Sequence, residues 1–208
     1  MTPIRYKIFA VLAVVVMTGC FSGAASAPAI RHYTLEYTLP AMEQKPVVDG
    51  TIRVERFAAD HDYQGRDMIY RPGPYVRQAY RTHRWNGAPA DMVQDKLLKD
   101  LHQAGFFKVI LSPDDMGSAR YAINGRITEF LEIDEKDRSL AAFSVNVTVE
   151  DLMSQEEGRV VLQKTYRIVE PFAFGEPDKL APAMSTAMMR FSLALFSDLR
   201  RVLAVVKP

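Results

Sequence analysis

The segment from Phe143 to Glu150 alternates without a break. Phe143, Val145, Val147 and Val149 fall on one side, and Ser144, Asn146, Thr148 and Glu150 on the other. Strict alternation is the pattern of a strand with one dry and one wet face. Two further strand-like stretches flank it. One runs from about Arg120 to Ile133, with Tyr121, Ile123, Ile127, Leu131 and Ile133 predicted on one face. The other runs from Val160 to Val169, with Leu162, Tyr166 and Ile168 inward. Charged or turn-like joins around 134–139 and 154–158 make an antiparallel meander of the three. Directly afterwards Leu180, Met184, Ala187, Met188, Phe191, Leu195, Leu199, Val202 and Val206 recur at spacings of three and four. That predicts a long amphipathic helix from about Asp178 to Val205, with Pro182 tolerated near its start. A one-sided sheet and a one-sided helix are stable when each buries the other's apolar face. The methionines of the stripe are therefore read as core, although methionine also suits adaptable binding surfaces.

The first half carries the same two kinds of signal. Tyr33, Leu35, Tyr37 and Leu39 alternate with polar residues and predict a half-buried strand. Ile52, Val54 and Phe57 mark a shorter one, after a loop over 40–50. Asp60-His61-Asp62 has metal-ligating residue types but no further ligand at useful spacing, so it reads as a solvated turn. Met68 to Arg71, then Pro72-Gly73-Pro74, then Tyr75 to Trp85 reads as a long hairpin, since proline followed by glycine suits a type II turn. Pro89 opens a helix whose stripe is Val93, Leu97 and Leu101 with Ala90 and Ala104, and Gly105 closes it. Phe106 to Leu111 is a short apolar strand. The fold class is therefore α+β, a mixed or antiparallel sheet with two main amphipathic helices packed on one face.

The N-terminus says where such a domain is sent. Arg5 and Lys7 precede an apolar run from Ile8 to Val16, which is too short for the ~20 residues of a membrane span. The run ends at Met17-Thr18-Gly19-Cys20, and Cys20 is the only cysteine in the chain. This is the arrangement of a bacterial lipoprotein signal, residues 1–19, cut before a cysteine that carries lipid. An ordinary signal peptide cut after Ala25-Ser26-Ala27 is the competing reading, but it leaves a lone cysteine at that position unexplained. Residues 20–30 are small and unpatterned and form a tether; residues 31–208 are the folded domain. About ten tether residues reach at most ~35 Å. Phe21 stands where aspartate would signal inner-membrane retention, which points to the outer membrane and the periplasm.

Composition narrows the function. The whole chain has 26 basic and 25 acidic residues. Removing Arg5 and Lys7 with the leader leaves 26 − 2 = 24 against 25, a net charge of −1. Nucleic-acid binders carry a basic excess, so that class is set aside. Arg66, Arg71, Arg77, Arg81 and Arg84 do crowd the predicted hairpin among aromatics. They solvate a strand face or form a docking surface; Tyr75, Arg77 and Arg81 are the candidate partner-binding residues, because tyrosine and arginine are enriched in binding hot spots. Trp85, the only tryptophan, is expected to pack between strand end and helix. No G-x-S-x-G, H-E-x-x-H or phosphate loop occurs, so no catalytic residue, metal site or cofactor is assigned.

In the order of these features the chain resembles the ABC-type transport auxiliary lipoproteins, which include the lipoprotein of the paraquat-inducible intermembrane pathway. The resemblance rests on the Cys20 box, Tyr33-Thr34-Leu35, Ile52-Arg53-Val54, Tyr70-Arg71, the closing helix, and above all Arg84-Trp85 followed by Pro89, a helix and Gly105-Phe106. It implies a non-enzymatic lipoprotein, palmitoylated at Cys20 and held in the outer membrane. Its implied partners are a mammalian-cell-entry (MCE) type substrate-binding protein and an ABC permease in lipid traffic between membranes. Homo-oligomerisation is left open. The alternative is an envelope-assembly lipoprotein that binds another outer-membrane protein or cell-wall peptide.

Overall fold

The computed structural model describes residues 28–42, 48–154 and 159–204. In chain order the strands are β1 (Arg31–Tyr33), β2 (Val48–Val54), β3 (Ala58–Ala59), β4 (Asp67–Gly73), β5 (Val76–Trp85), β6 (Phe107–Leu111), β7 (Tyr121–Asp134), β8 (Arg138–Asp151) and β9 (Val160–Ala173). Helix α1 (Pro89–Ala104) lies between β5 and β6, and α2 (Leu180–Leu203) follows β9. Short 3-10 turns at His61–Tyr63 and Pro177–Lys179 complete the list. The meander is present as β7–β8–β9, antiparallel throughout. The sheet as a whole is mixed. β7 gives one edge to β8 along its length and the other, in turn, to β2, β3 and β4, all parallel to it. β6 adds to β2, and β5 and then β1 add to β4.

One expected face is wrong in part. Tyr121, Ile123 and Ile127 do share a face, but the β7–β8 register shifts between Ile127 and Glu129. A bulge inserts one residue and reverses the alternation beyond it. Phe130 and Glu132 consequently lie on the face of Phe143 and Ala141, while Leu131 and Ile133 lie on the other. In β9 the expected inward residues hold: Leu162, Tyr166 and Ile168 stand opposite Val149, Val145 and Phe143. The open face is polar over much of β8 and β9, with Asn146, Thr165 and Arg167 exposed.

Both helices cover the face of Phe143. Pro89 begins α1, and Gly105 ends it at φ 59°, its N–H reaching the Leu101 and His102 carbonyls at 3.2 and 3.3 Å. Only glycine adopts that left-handed conformation without cost. Helix α2 is pinned to β9 by Arg190 on Glu170 at 2.6 Å and Lys164 on Asp198 at 2.7 Å. Phe191 of α2 meets Phe143 and Tyr166 edge-on, with centroids at 5.4 and 5.3 Å. Phe143 meets Phe130, and Phe130 meets Trp85, at 5.9 and 5.0 Å. This file of edge-to-face rings, a favoured aromatic geometry, runs from β5 to β9 beneath the helices. Trp85 is fully buried at one end of it, as expected of a packing residue.

The alternating stretch Tyr33 to Leu39 is a strand only at its first residue. Leu35 and Leu39 are buried and Thr34, Glu36 and Thr38 exposed, so the burial period is two. The backbone, however, is held by helix side chains. Ser185 accepts from the Glu36 N–H at 3.0 Å, and Lys96 donates to the Tyr37 carbonyl at 3.2 Å. The segment is an extended strap that runs along α2 and binds α1 as well. A second close approach occurs at Gly125. Phe57 lies against it under α1, with its N–H on Gln94 Oε1 at 3.0 Å.

Candidate functional site

The β4–β5 hairpin carries the exposed chemistry predicted for docking. Tyr75 at its tip is 96% exposed, and Arg77 and Arg81 are exposed on β5. The acids that stood to neutralise them are engaged elsewhere. Glu129 pairs with Arg167 at 2.6 Å, and Glu132 is buried. Arg84 takes Asp67 at 2.9 Å. Among the described residues Arg71, Arg77 and Arg81 have no carboxylate partner within ion-pair distance. Residues 79 to 84 of β5 lie opposite residues 67 to 69 of β4. That irregularity breaks the regular alternation which would place Arg77 and Arg81 on one face.

The hairpin is a firm platform. Glu132 of β7, 1% exposed, accepts a hydrogen bond from Tyr80 Oη at 2.8 Å. Tyr70 stacks on Tyr80 with centroids 4.6 Å apart and donates to Gln78. Burial holds the Glu132 carboxyl above the usual carboxylate range, against the pull of the Tyr80 hydroxyl. Burial first, then the bond to Glu132, raises the Tyr80 hydroxyl too. On the open face Tyr63, from the 3-10 turn, is buried; burial raises its hydroxyl and the Arg77 guanidinium opposes this. A shallow hollow of about 240 Å³ beside the hairpin's tip is lined by Arg71, Gly73, Pro74, Ile133 and Asp134.

Sequence reasoning missed three carboxylates that join elements. Asp100 of α1, nearly fully buried, accepts from Tyr37 and from Ser192 Oγ at 2.7 Å, so it links the strap to both helices. Burial raises its carboxyl above the ordinary value. Asp198 of α2 accepts from Lys164 and Tyr166, each at 2.7 Å, and from Arg201. Burial opposes its ionisation, but these donors prevail and lower its pKa. Asp178, just before α2, gathers Tyr33, Arg31 at 2.9 Å and His83 at 3.2 Å. The Tyr33 bond leads in lowering its pKa, while partial burial works against this. A signal existed for two of the three: Asp100 and Asp198 fall on the apolar stripes of their helices, where an unpaired carboxylate would be costly.

The remaining predicted residues are scattered. Cys20 and the leader lie outside the described residues. Trp85 is core, and Pro89 is buried at the α1 start. Asp60 pairs with Arg126 at 3.3 Å, and His61 and Asp62 are exposed. Among the described residues no three His, Cys, Asp or Glu side chains converge as metal ligands would.

The buried carboxylates are thus satisfied within the fold, while Arg77 and Arg81, with no carboxylate partner among the described residues, stay at its surface with Tyr75. The family is shown by the sequence: a model of the ABC-type transport auxiliary lipoprotein component matches residues 33–195, and the chain belongs to that family. It is thus a transport-associated lipoprotein of the cell envelope. No curated protein matches the chain. Among solved structures it is similar to protein XCC0632 from Xanthomonas campestris, at 17% identity and TM-score 0.71, over 79% of this chain and 91% of that one. A second, an uncharacterised protein, is 12% identical with TM-score 0.63, over 83% and 99%. At such identities the likeness is one of fold.

Proposed function

We propose that the protein is an outer-membrane lipoprotein, acylated at Cys20 and facing the periplasm, which acts without catalysis as the adaptor of an MCE-type ABC system moving lipids between membranes. Family membership supports the transport role, and the Cys20 box with Phe21 after it supports the anchor. The observation that carries docking is the hairpin: Arg77 and Arg81 are exposed on a platform fixed from beneath by the Tyr80–Glu132 hydrogen bond, and among the described residues the two lack carboxylate partners. An acidic or aromatic patch on the MCE-type protein would complement them. The test is the double substitution Arg77→Glu and Arg81→Glu in the full lipoprotein. The expected result is a folded, anchored protein that no longer co-purifies with the MCE-type protein and permease. Recovery of these partners at the wild-type level would refute the docking assignment.

A further inference from the structure

The exposed large apolar residues sort to the two ends of the sheet. Ile30, Tyr75, Val76 and Phe174 form the first group. Tyr75 and Val76 are at the β4–β5 tip, beyond the pairing of Arg71 with Ile133 near the end of β7. Phe174 follows Ala173, which pairs with Arg138 at the same end. Val109, Met116, Met153 and Val160 form the second group. They lie around the start of β7, where Tyr121 pairs with Asp151 and Ile52.

The chain enters the domain at the first end. β1 runs parallel to β5 from Arg31 beside His83, so the residues before it lead back toward the hairpin tip. The strap gives the same direction independently. It meets Asp178 at Arg31, Ser185 at Glu36 and Asp100 with Ser192 at Tyr37, and thus runs with α2 away from the helix start. The point where the chain enters the domain is therefore at the end bearing Ile30, Tyr75, Val76 and Phe174. β7, with 14 residues, is about 45 Å long, more than the ~35 Å that the tether can reach at full extension.

We propose that this end of the domain rests on the membrane that holds the lipid anchor, with Tyr75, Val76 and Phe174 seated at the lipid interface. The inference rests on the Cys20 anchor. It divides the hairpin, giving the tip to the lipid surface and Arg77 and Arg81, farther along β5, to the protein partner. Aromatic rings with a polar edge favour the interfacial zone. A covalent anchor within ~35 Å keeps the patch at high local concentration over the bilayer, so a small apolar contact suffices. The second apolar group is then carried outward, away from the anchoring membrane.

The chain's cysteine usage permits a direct test. Acylation blocks Cys20, so a cysteine introduced elsewhere is the sole reactive thiol. The full lipoprotein, as Tyr75→Cys, Phe174→Cys or Met116→Cys, is labelled with an environment-sensitive dye and reconstituted in phosphatidylethanolamine–phosphatidylglycerol vesicles bearing headgroup nitroxide. Met116 is 99% exposed at the far end and serves as reference. The expected result is blue-shifted emission at 75 and 174, with nitroxide quenching several-fold stronger than at 116. Equal quenching at the three positions, or strongest quenching at 116, overturns the inference while leaving the anchor intact. Dye on the wild-type protein would mean a free Cys20, and would sink the anchor and this inference with it.

Discussion

Gly125→Ala probes the tightest surroundings of any described glycine. A Cβ at this position would stand 2.7 and 2.8 Å from Phe57 Cδ2 and Cζ, and nearer still to Cε2. The ring cannot swing aside freely, because Phe57 is buried and its N–H is tied to Gln94 of α1. Without the ring, the substitution should help: glycine inside a strand costs ~0.5–1 kcal/mol relative to alanine. With the ring, overpacking costs ~1–3 kcal/mol or more. The two effects differ in sign, and the clash is the larger. A net loss of about 1–2 kcal/mol follows, which lowers the melting temperature by roughly 2–8 °C in a domain of this size. The assay is thermal and urea unfolding of a soluble form beginning at Ala29, followed by circular dichroism. The double variant with Phe57→Ala decides the cause. Phe57→Ala alone should cost ~3–5 kcal/mol, and Gly125→Ala added to it should become neutral or stabilising, a coupling of ~1–3 kcal/mol. Additive losses, or stabilisation by Gly125→Ala alone, would refute the reasoning.

Trp85→Ala should cost ~3–5 kcal/mol by leaving a cavity at the end of the aromatic file. Trp85→Phe should cost less than half as much in the same unfolding assay, because the buried Nε1 has no hydrogen-bond partner to lose; unchanged stability in the alanine variant with loss of partner binding would make Trp85 an interface anchor. Glu132→Gln should stabilise the domain at pH 8 and do progressively less as pH falls. The Glu132 pKa is raised in the fold above its ordinary 4.5, so the folded state carries a penalty above both values that protonation removes below them; a melting-temperature gain independent of pH would contradict this. Cys20→Ser should leave an uncleaved precursor in the inner membrane, unlabelled by palmitate, and normal processing would remove the lipoprotein assignment.

What the sequence shows and hides follows from the range of each interaction. The helices are legible because their signals are local: Pro89, Gly105 and the two stripes place α1 and α2 within a few residues. The β8 alternation is legible because both its neighbours are long and its face is covered throughout. The strap has the same alternation as a strand, since packing over two helices also buries every second residue; only its hydrogen-bond partners differ. The bulge after Ile127 leaves no local mark, and it alone moves Glu132 beneath the hairpin. Parallel pairing of β2, β3 and β4 to β7 is a contact between distant segments, and nothing in either segment announces the other. At the proposed docking surface, residue types singled out Tyr75, Arg77 and Arg81 as candidates, but that the two arginines lack acid partners among the described residues became visible only once Glu129 and Glu132 were placed.

The dependence of β2, β3 and β4 on β7 sets an order of events for a chain that is made from its N-terminus. Three strands of the first half obtain their sheet partner only when residues 121–134 exist and are free to pair. Until then β2 and β6 can join only each other, and β4 and β5 only the hairpin and β1, each pair too small to be stable in water. The meander with α2, by contrast, is closed within one continuous stretch and has short loops to cross. The late-made half thus acts as the template for the early-made half. A chain released before residue 121 lacks the strand on which β2, β3 and β4 pair.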